Sequence, residues 1–242
     1  MNTSGNTILI TGGGTGIGRG LAERFLEDNN TIIICGRRAD VLREVQASHP
    51  AIITKVCDVS VAYEREELYV WLAEHYPNLN VLINNAGIQQ WMSIDDENFF
   101  DRATEEIAIN IEAPLHLTKL MMQLPALTTV MNVTSGLSFV PLVKTPVYSA
   151  TKAFLHSFTL SLRHLVHSKG IEVIELIPPA LNTDLGGKGL HDFAPPVSAF
   201  VASVFEQLAA GKTEITFGFS EAMSKASQDD IRHAFTRMNG EQ

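Results

Sequence analysis

Tyr148 and Lys152 stand four residues apart, a spacing that puts a phenol and an ammonium on one helical face. Ser135 lies thirteen residues earlier, at the predicted end of a strand. A phenol can exchange a proton with a substrate oxygen, and a serine hydroxyl can stabilise the charge that develops there. An ordinary phenol titrates near 10 and is a slow base at neutral pH. The Lys152 ammonium, together with a charged cofactor ring, is therefore expected to lower the Tyr148 pKa. A Tyr-x-x-x-Lys pair is a frequent accident by itself. Its weight comes from what precedes it in the chain, a glycine-rich turn running from Thr11 to Gly18.

That turn, Thr11-Gly12-Gly13-Gly14-Thr15-Gly16-Ile17-Gly18, follows a predicted strand and opens a predicted helix. In this context glycines let the backbone approach a pyrophosphate, and the helix N-terminus offers N–H groups and positive potential. Gly12, Thr15, Gly16, Ile17 and Gly18 are the expected contacts. The turn matches Thr-Gly-x-x-x-Gly-x-Gly and in no frame fits G-x-G-x-x-G. At the end of the second strand, where a carboxylate would hold the ribose hydroxyls of NAD, the chain has Gly36, Arg37 and Arg38. Missing repulsion and a nearby guanidinium favour a 2′-phosphate, so NADP(H) is preferred, with NAD(H) still possible. Arg37 is the stronger candidate and Arg38 the weaker. Asp58 is placed to meet the adenine edge. Asn84-Asn85-Ala86-Gly87 ends a further strand, where Asn85, Ala86 and Gly87 can approach a cofactor or simply pin neighbouring strands.

The elements that must hold these residues follow from the hydrophobic pattern. Short β-branched runs at 7–11, 31–35, 52–57, 81–84, 129–134, 172–177 and 214–217 read as strands. Between them, helical periodicity predicts helices over 17–27, 39–47, 63–74, 98–122 and 147–168. Strand–helix alternation and continuously apolar strands such as Ile32-Ile33-Ile34 imply an α/β fold whose mainly parallel sheet is covered on both faces. A length of 242 residues suits a single domain spanning 1–242. Residues 184–196 carry three glycines and two prolines and are the expected lid over the site.

A net charge of −9 argues against wholesale capture of nucleic acid or anionic membrane. No stretch has the length of a membrane span, and nothing at the N-terminus resembles a signal peptide, so a cytoplasmic location is expected. The two cysteines, Cys35 and Cys57, lack the spacing of a disulfide framework or metal site and are expected to be reduced thiols near one sheet end. His164 and His167 find no third ligand, and no metal is expected.

Taken together, Thr11-Gly12-x-x-x-Gly16-x-Gly18, Asp58, Asn84-Asn85-Ala86-Gly87, Asn110, Ser135 and Tyr148-x-x-x-Lys152 resemble the short-chain dehydrogenase/reductase superfamily along essentially the whole chain. The stretches 80–89, 135–142 and 172–179 look more closely like a bacterial branch named for D-alanine esterification of teichoic acids. The resemblance implies a Rossmann-like, doubly wound parallel sheet of seven strands in the order 3-2-1-4-5-6-7. It implies a catalytic tetrad of Asn110, Ser135, Tyr148 and Lys152, in which Asn110 could hold a water that links Lys152 to solvent. It also implies that Tyr148 and Lys152 bind the cofactor, as would Pro178, Leu181 and Thr183, and that homodimers or homotetramers form through the helices beginning near Asn98 and Val147. One departure is the turn Pro178-Pro179-Ala180, where the superfamily commonly has Pro-Gly; a second proline stiffens the turn and removes a donor.

The expected activity is NADP-dependent hydride transfer to or from a small or medium carbonyl or secondary-alcohol substrate. Trp91, Leu137, Phe139, Leu142, Val143, Leu181, Leu190 and Phe193 give the expected substrate side its apolar character. Two other classes use the same fold: a nucleotide-binding redox sensor, disfavoured by the presence of both Tyr148 and Lys152, and an isomerase or dehydratase that oxidises its substrate transiently.

Overall fold

The computed structural model describes residues 1–240. Seven strands, β1 (Thr7–Thr11), β2 (Thr31–Gly36), β3 (Ile53–Val56), β4 (Val81–Asn84), β5 (Thr129–Val133), β6 (Glu172–Ile177) and β7 (Glu214–Thr216), form one sheet. All pairs are parallel and the order is β3-β2-β1-β4-β5-β6-β7. Side chains alternate across the pleat, so Ile8 and Ile10 enter one buried cluster while Leu9 enters the other. Helices α1 (Gly16–Glu27), α2 (Ala39–Ser48) and α7 (Val197–Ala209) cover the first face through Phe25, Leu42 and Phe200. On the second face, α3 (Ala62–His75), α5 (Ala113–Met121) and α6 (Pro146–Val166) pack through Leu72, Leu117 and Leu162.

The long helix predicted over 98–122 runs without a break from Phe99 to Met121 but is not α-helical throughout. It divides into α4 (Phe99–Ile107), a π-helical segment (Ala108–Glu112) and α5. Pro114 has no N–H and cannot donate to the Asn110 carbonyl four residues earlier, and the Ala113 N–H bonds instead to Ala108 O. Helices α7, α8 (Phe219–Ser224) and α9 (Gln228–Asn239) were not among those predicted. Their signals are present in the chain: Phe200, Val201, Val204, Phe205 and Leu208 keep helical spacing, and Ser227 with Asp230 forms a capping box at the start of α9. Among the described residues no helix is long and apolar enough to cross a membrane.

The order of connections reverses between β1 and β4, which leaves a crevice at the carboxyl ends of those strands. The glycine turn after β1, Asp58 after β3, Asn85 to Gly87 after β4, Ser135 after β5 and Pro178 after β6 all lie along this edge.

Candidate active site

The crevice is built around Thr11. Its Oγ1 accepts the Asn85 and Ala86 N–H groups, both at 3.0 Å, and the Asn85 side-chain amide donates to Thr11 O at 2.8 Å. These bonds clamp the glycine turn against the end of β4. Gly12 has φ +64°, and a Cβ there would lie 2.9 Å from Ala86 Cα; at Gly18 it would lie 2.4 Å from Asn85 Nδ2. Asn85 is thus engaged by the turn itself, and Asn84 donates to Thr118 and Asn132 inside the protein. Both asparagines pin strands.

Thr15 caps α1 with an extended backbone and makes no side-chain bond to the first-turn amides, so the N–H groups of Gly16, Ile17 and Gly18 face the crevice without a side-chain cap. An anionic group such as a pyrophosphate fits this cradle. Arg38 reaches Thr15 Oγ1 at 3.5 Å, whereas Arg37 turns toward Glu105 at 3.6 Å. Of the two arginines expected at the phosphate, Arg38 is the one that borders the turn in this structure. Asp58 Oδ1 accepts the Ser60 N–H and hydroxyl at 2.9 and 2.7 Å, which fixes the carboxylate beside the end of β3. Cys35 and Cys57 are free and buried; the Cys57 contact and burial raise the Cys35 thiol well above its ordinary range.

Across the crevice the four expected catalytic residues converge. Tyr148 and Lys152 are buried on the same face of α6, with Lys152 Nζ 5.6 Å from the centre of the phenol ring. Lys152 donates to Val133 O at 2.8 Å, at the end of β5. Ser135 begins a short 3-10 turn (Gly136–Ser138) and accepts the Leu137 N–H at 3.1 Å; the turn is anchored by Gly136 N donating to Pro178 O at 2.9 Å. Asn110 accepts the Ile88 N–H and donates to Ile88 O, each at 2.9 Å, and donates to Thr151 at 3.1 Å. A Cβ on Gly87 would stand 3.3 Å from Asn110 Oδ1 and 3.5 Å from Lys152 Nζ, so the three residues meet behind the cofactor crevice.

Burial dominates the electrostatics of the protein alone. Burial pushes the Tyr148 phenol above its ordinary value; the Ser135 hydroxyl draws it down, and Glu106 pushes it further up. Burial also lowers Lys152 to about 8. The protein alone does not acidify the phenol, because desolvation of the buried ring hydroxyl outweighs the Ser135 hydrogen bond. Tyr148 is protonated at neutral pH, the state a proton donor requires.

Two residues that sequence reasoning passed over belong to this site. Thr151 orients Asn110 and adjoins Lys152 in the chain. Glu106 lies one helical turn before Asn110, fully buried, and accepts the Gln90 N–H. Its spacing from Asn110 was the available signal.

The substrate side is formed by three tied segments. Met92 N donates to Lys144 O at 3.1 Å, and Lys144 Nζ lies 5.2 Å from the centre of the Trp91 ring. Residues 182–196 close on themselves through Asn182 N donating to Pro195 O at 2.9 Å, and a Cβ on Gly186 would lie 3.4 Å from Gln89 Oε1. Trp91, Leu190 and Phe193 are exposed. Leu181 instead buries its side chain in the core and leaves its backbone at the crevice edge, while a Cβ on Gly16 would touch Thr183 at 3.4 Å. His164 and His167 are both exposed, and no cluster of three metal-ligating side chains exists among the described residues.

Fold and site together define a dinucleotide-crevice oxidoreductase with a Ser, Tyr and Lys centre. Residues 6–192 match the family model described as short chain dehydrogenase, and the chain belongs to that family, whose members are NAD(P)-dependent oxidoreductases acting on small molecules. It is 43% identical to the uncharacterized oxidoreductase DltE of Bacillus subtilis, over 99% of this chain and 98% of that protein. It is 30% identical to serine 3-dehydrogenase of Agrobacterium fabrum, over 74% and 73% of the two chains. A short chain dehydrogenase from Burkholderia cenocepacia, solved in complex with NADP, superposes with a TM-score of 0.85 at 21% identity, covering 98% of this chain and 99% of that one.

Proposed function

We propose that this protein is an NADP-dependent reductase of a small or medium, largely apolar ketone or aldehyde, acting equally on the matching secondary alcohol. The observation that carries the reading is the buried Tyr148 beside Ser135, with Lys152 one turn away on the same helix face. A bound nicotinamide supplies the hydride. Tyr148 gives its proton to the substrate oxygen, and Ser135 bonds that oxygen as charge develops on it. Lys152, held by Val133 O, keeps positive charge beside the phenol and offers its remaining N–H donors to ribose hydroxyls. Asn110 fixes the backbone at Ile88 and so the position of Gly87 between itself and Lys152.

Preference for NADP rests on Gly36 in place of a carboxylate and on Arg38 beside Thr15, where a 2′-phosphate would be met by a guanidinium and a hydroxyl. The solved Burkholderia relative, with NADP bound, accords with this reading. Gly12, Gly16, Ile17, Gly18, Ala86 and the backbone of Pro178, Leu181 and Thr183 would contact the cofactor, with Asp58 at the adenine end. Residues 184–196 act as the lid, and the whole chain works as one domain. Free, buried thiols suit a reducing cytoplasm.

The test is a panel of ketones and aldehydes reduced with NADPH carrying deuterium at C4, with products analysed by mass spectrometry. Deuterium should appear on the carbinol carbon of an apolar product, and NADPH should outperform NADH by roughly tenfold or more in kcat/KM. Net isomerisation or dehydration without retained deuterium, or a preference for NADH, would contradict the reading.

A further inference from the structure

One face of α4 and the π-helical segment after it grips the chain that leaves β4. Asn110 holds both polar groups of Ile88, Glu106 accepts the Gln90 N–H, and Arg102 donates to the Gln90 side chain at 2.8 Å and to Trp91 O. Residues 102, 106 and 110 are one helical turn apart, and they meet residues 88 to 91 of the irregular segment that leaves β4. The middle rung is unusual. Glu106 has no exposed surface, and its Oε2 is buried without a hydrogen-bond partner, so half of a carboxyl group is left without hydrogen-bond compensation.

The charged groups that face it come from three directions. Arg102 and Glu105 lie on α4 itself, Tyr148 approaches from α6, and Asp96, on the segment after β4, pairs with Arg102 at 3.4 Å and draws on its charge. Glu106 raises the proton affinity of Tyr148 when ionised. Burial places its own titration at about 7, where the carboxyl changes charge in the working range of an enzyme.

We infer that Glu106 is a proton-linked positioning residue: as a carboxylate it grips the Gln90 amide and holds the proton on Tyr148, and as an acid it relaxes both. The inference rests on the role proposed above for Tyr148. It implies that the substrate wall at Gln89 to Met92 and the proton donor respond together to one buried group.

Two measurements test it. In the unaltered full-length protein labelled with 13C at glutamate carboxyls and with 15N, one carboxyl should titrate above pH 6, and the Gln90 amide shift should follow the same midpoint. Absence of such a carboxyl, or a Gln90 amide indifferent to it, overturns the inference without any variant having to fold. Glu106→Gln keeps an acceptor for Gln90 but carries no charge. With the best ketone of the panel and its alcohol, this variant should lose the inflection near 7, and alcohol oxidation at pH 8 should rise about threefold as the phenolate forms more readily. A pH–rate profile superimposable on the wild type overturns the inference. Tyr148→Phe serves as the control: an active Tyr148→Phe enzyme rejects the tyrosine role itself, whereas an inactive one beside an unchanged Glu106→Gln profile rejects only the role of Glu106.

Discussion

At the scale of single residues, the site depends on where burial overrides intrinsic chemistry. An exposed Tyr-x-x-x-Lys pair would shift the phenol down. Here both groups are out of water, and the phenol is held protonated while the ammonium is weakened. Arg37 and Arg38 illustrate a similar point, since adjacent residues at a strand end point to opposite sides, one toward Glu105 and one toward Thr15. Arg38→Glu should therefore weaken NADPH by roughly tenfold or more relative to NADH, measured by quenching of NADPH fluorescence, because it puts a like charge beside the 2′-phosphate. Arg37→Glu should discriminate less between the two cofactors, and equal losses of both cofactors in Arg38→Glu would contradict the assignment. The residue types of this site were legible in the chain because glycines, an ordered Ser, Tyr and Lys, and the missing acidic residue at 36 are local facts. The side each arginine takes and the direction of the Tyr148 shift were not, because both depend on neighbours far away in sequence. Glu106 passed unnoticed for the same reason: a glutamate in a polar helix stretch ordinarily faces water.

At the scale of elements, α6 carries two functions along one face. Its first turns present Tyr148 and Lys152, and one turn further His156 meets the buried Glu175 of β6 at 2.9 Å, with Thr134 donating to the same carboxylate at 2.6 Å. The bond to Glu175 raises the His156 pKa above its ordinary value. A base whose folded pKa is raised contributes stability that is full below the unfolded value, about 6.5, and is lost as pH rises through the folded value. The Tm of the wild type should therefore fall, relative to that of His156→Gln, as pH is taken from 6 toward 9. Parallel Tm–pH curves would show that the pair contributes nothing linked to protons. Strands β1, β4 and β6 were readable to the residue because each is a short run dominated by β-branched and apolar side chains between polar breaks. The π-helical segment was not, although Pro114 announces it. A proline near the start of a helix is ordinary, and only the continuity of α4 into α5 makes its missing N–H fall on Asn110.

At the scale of the whole molecule, the sheet order expected from the resemblance is the one observed, and it divides the labour. On the proposed reading, the β1 to β3 side with the glycine turn would form the nucleotide cradle, while β4 to β6 with α4 and α6 would carry the proton-transfer groups. The outer faces of α4 and α6 expose Phe100, Ile107, Phe154 and Leu165, with Phe154 and Leu165 at helical spacing. Such a face fits association of two copies through these helices, so Phe154→Glu should lower the mass seen by light scattering relative to the wild type; an unchanged mass would place the interface elsewhere. The division of labour gives the most direct test of the central claim, that a buried Tyr148 delivers the proton at a site whose nucleotide half is built separately. In Tyr148→Phe, NADPH binding measured by fluorescence titration should stay within about threefold of the wild type, while turnover of the best ketone falls by roughly a hundredfold or more. Retention of near-normal turnover in that variant would contradict the account.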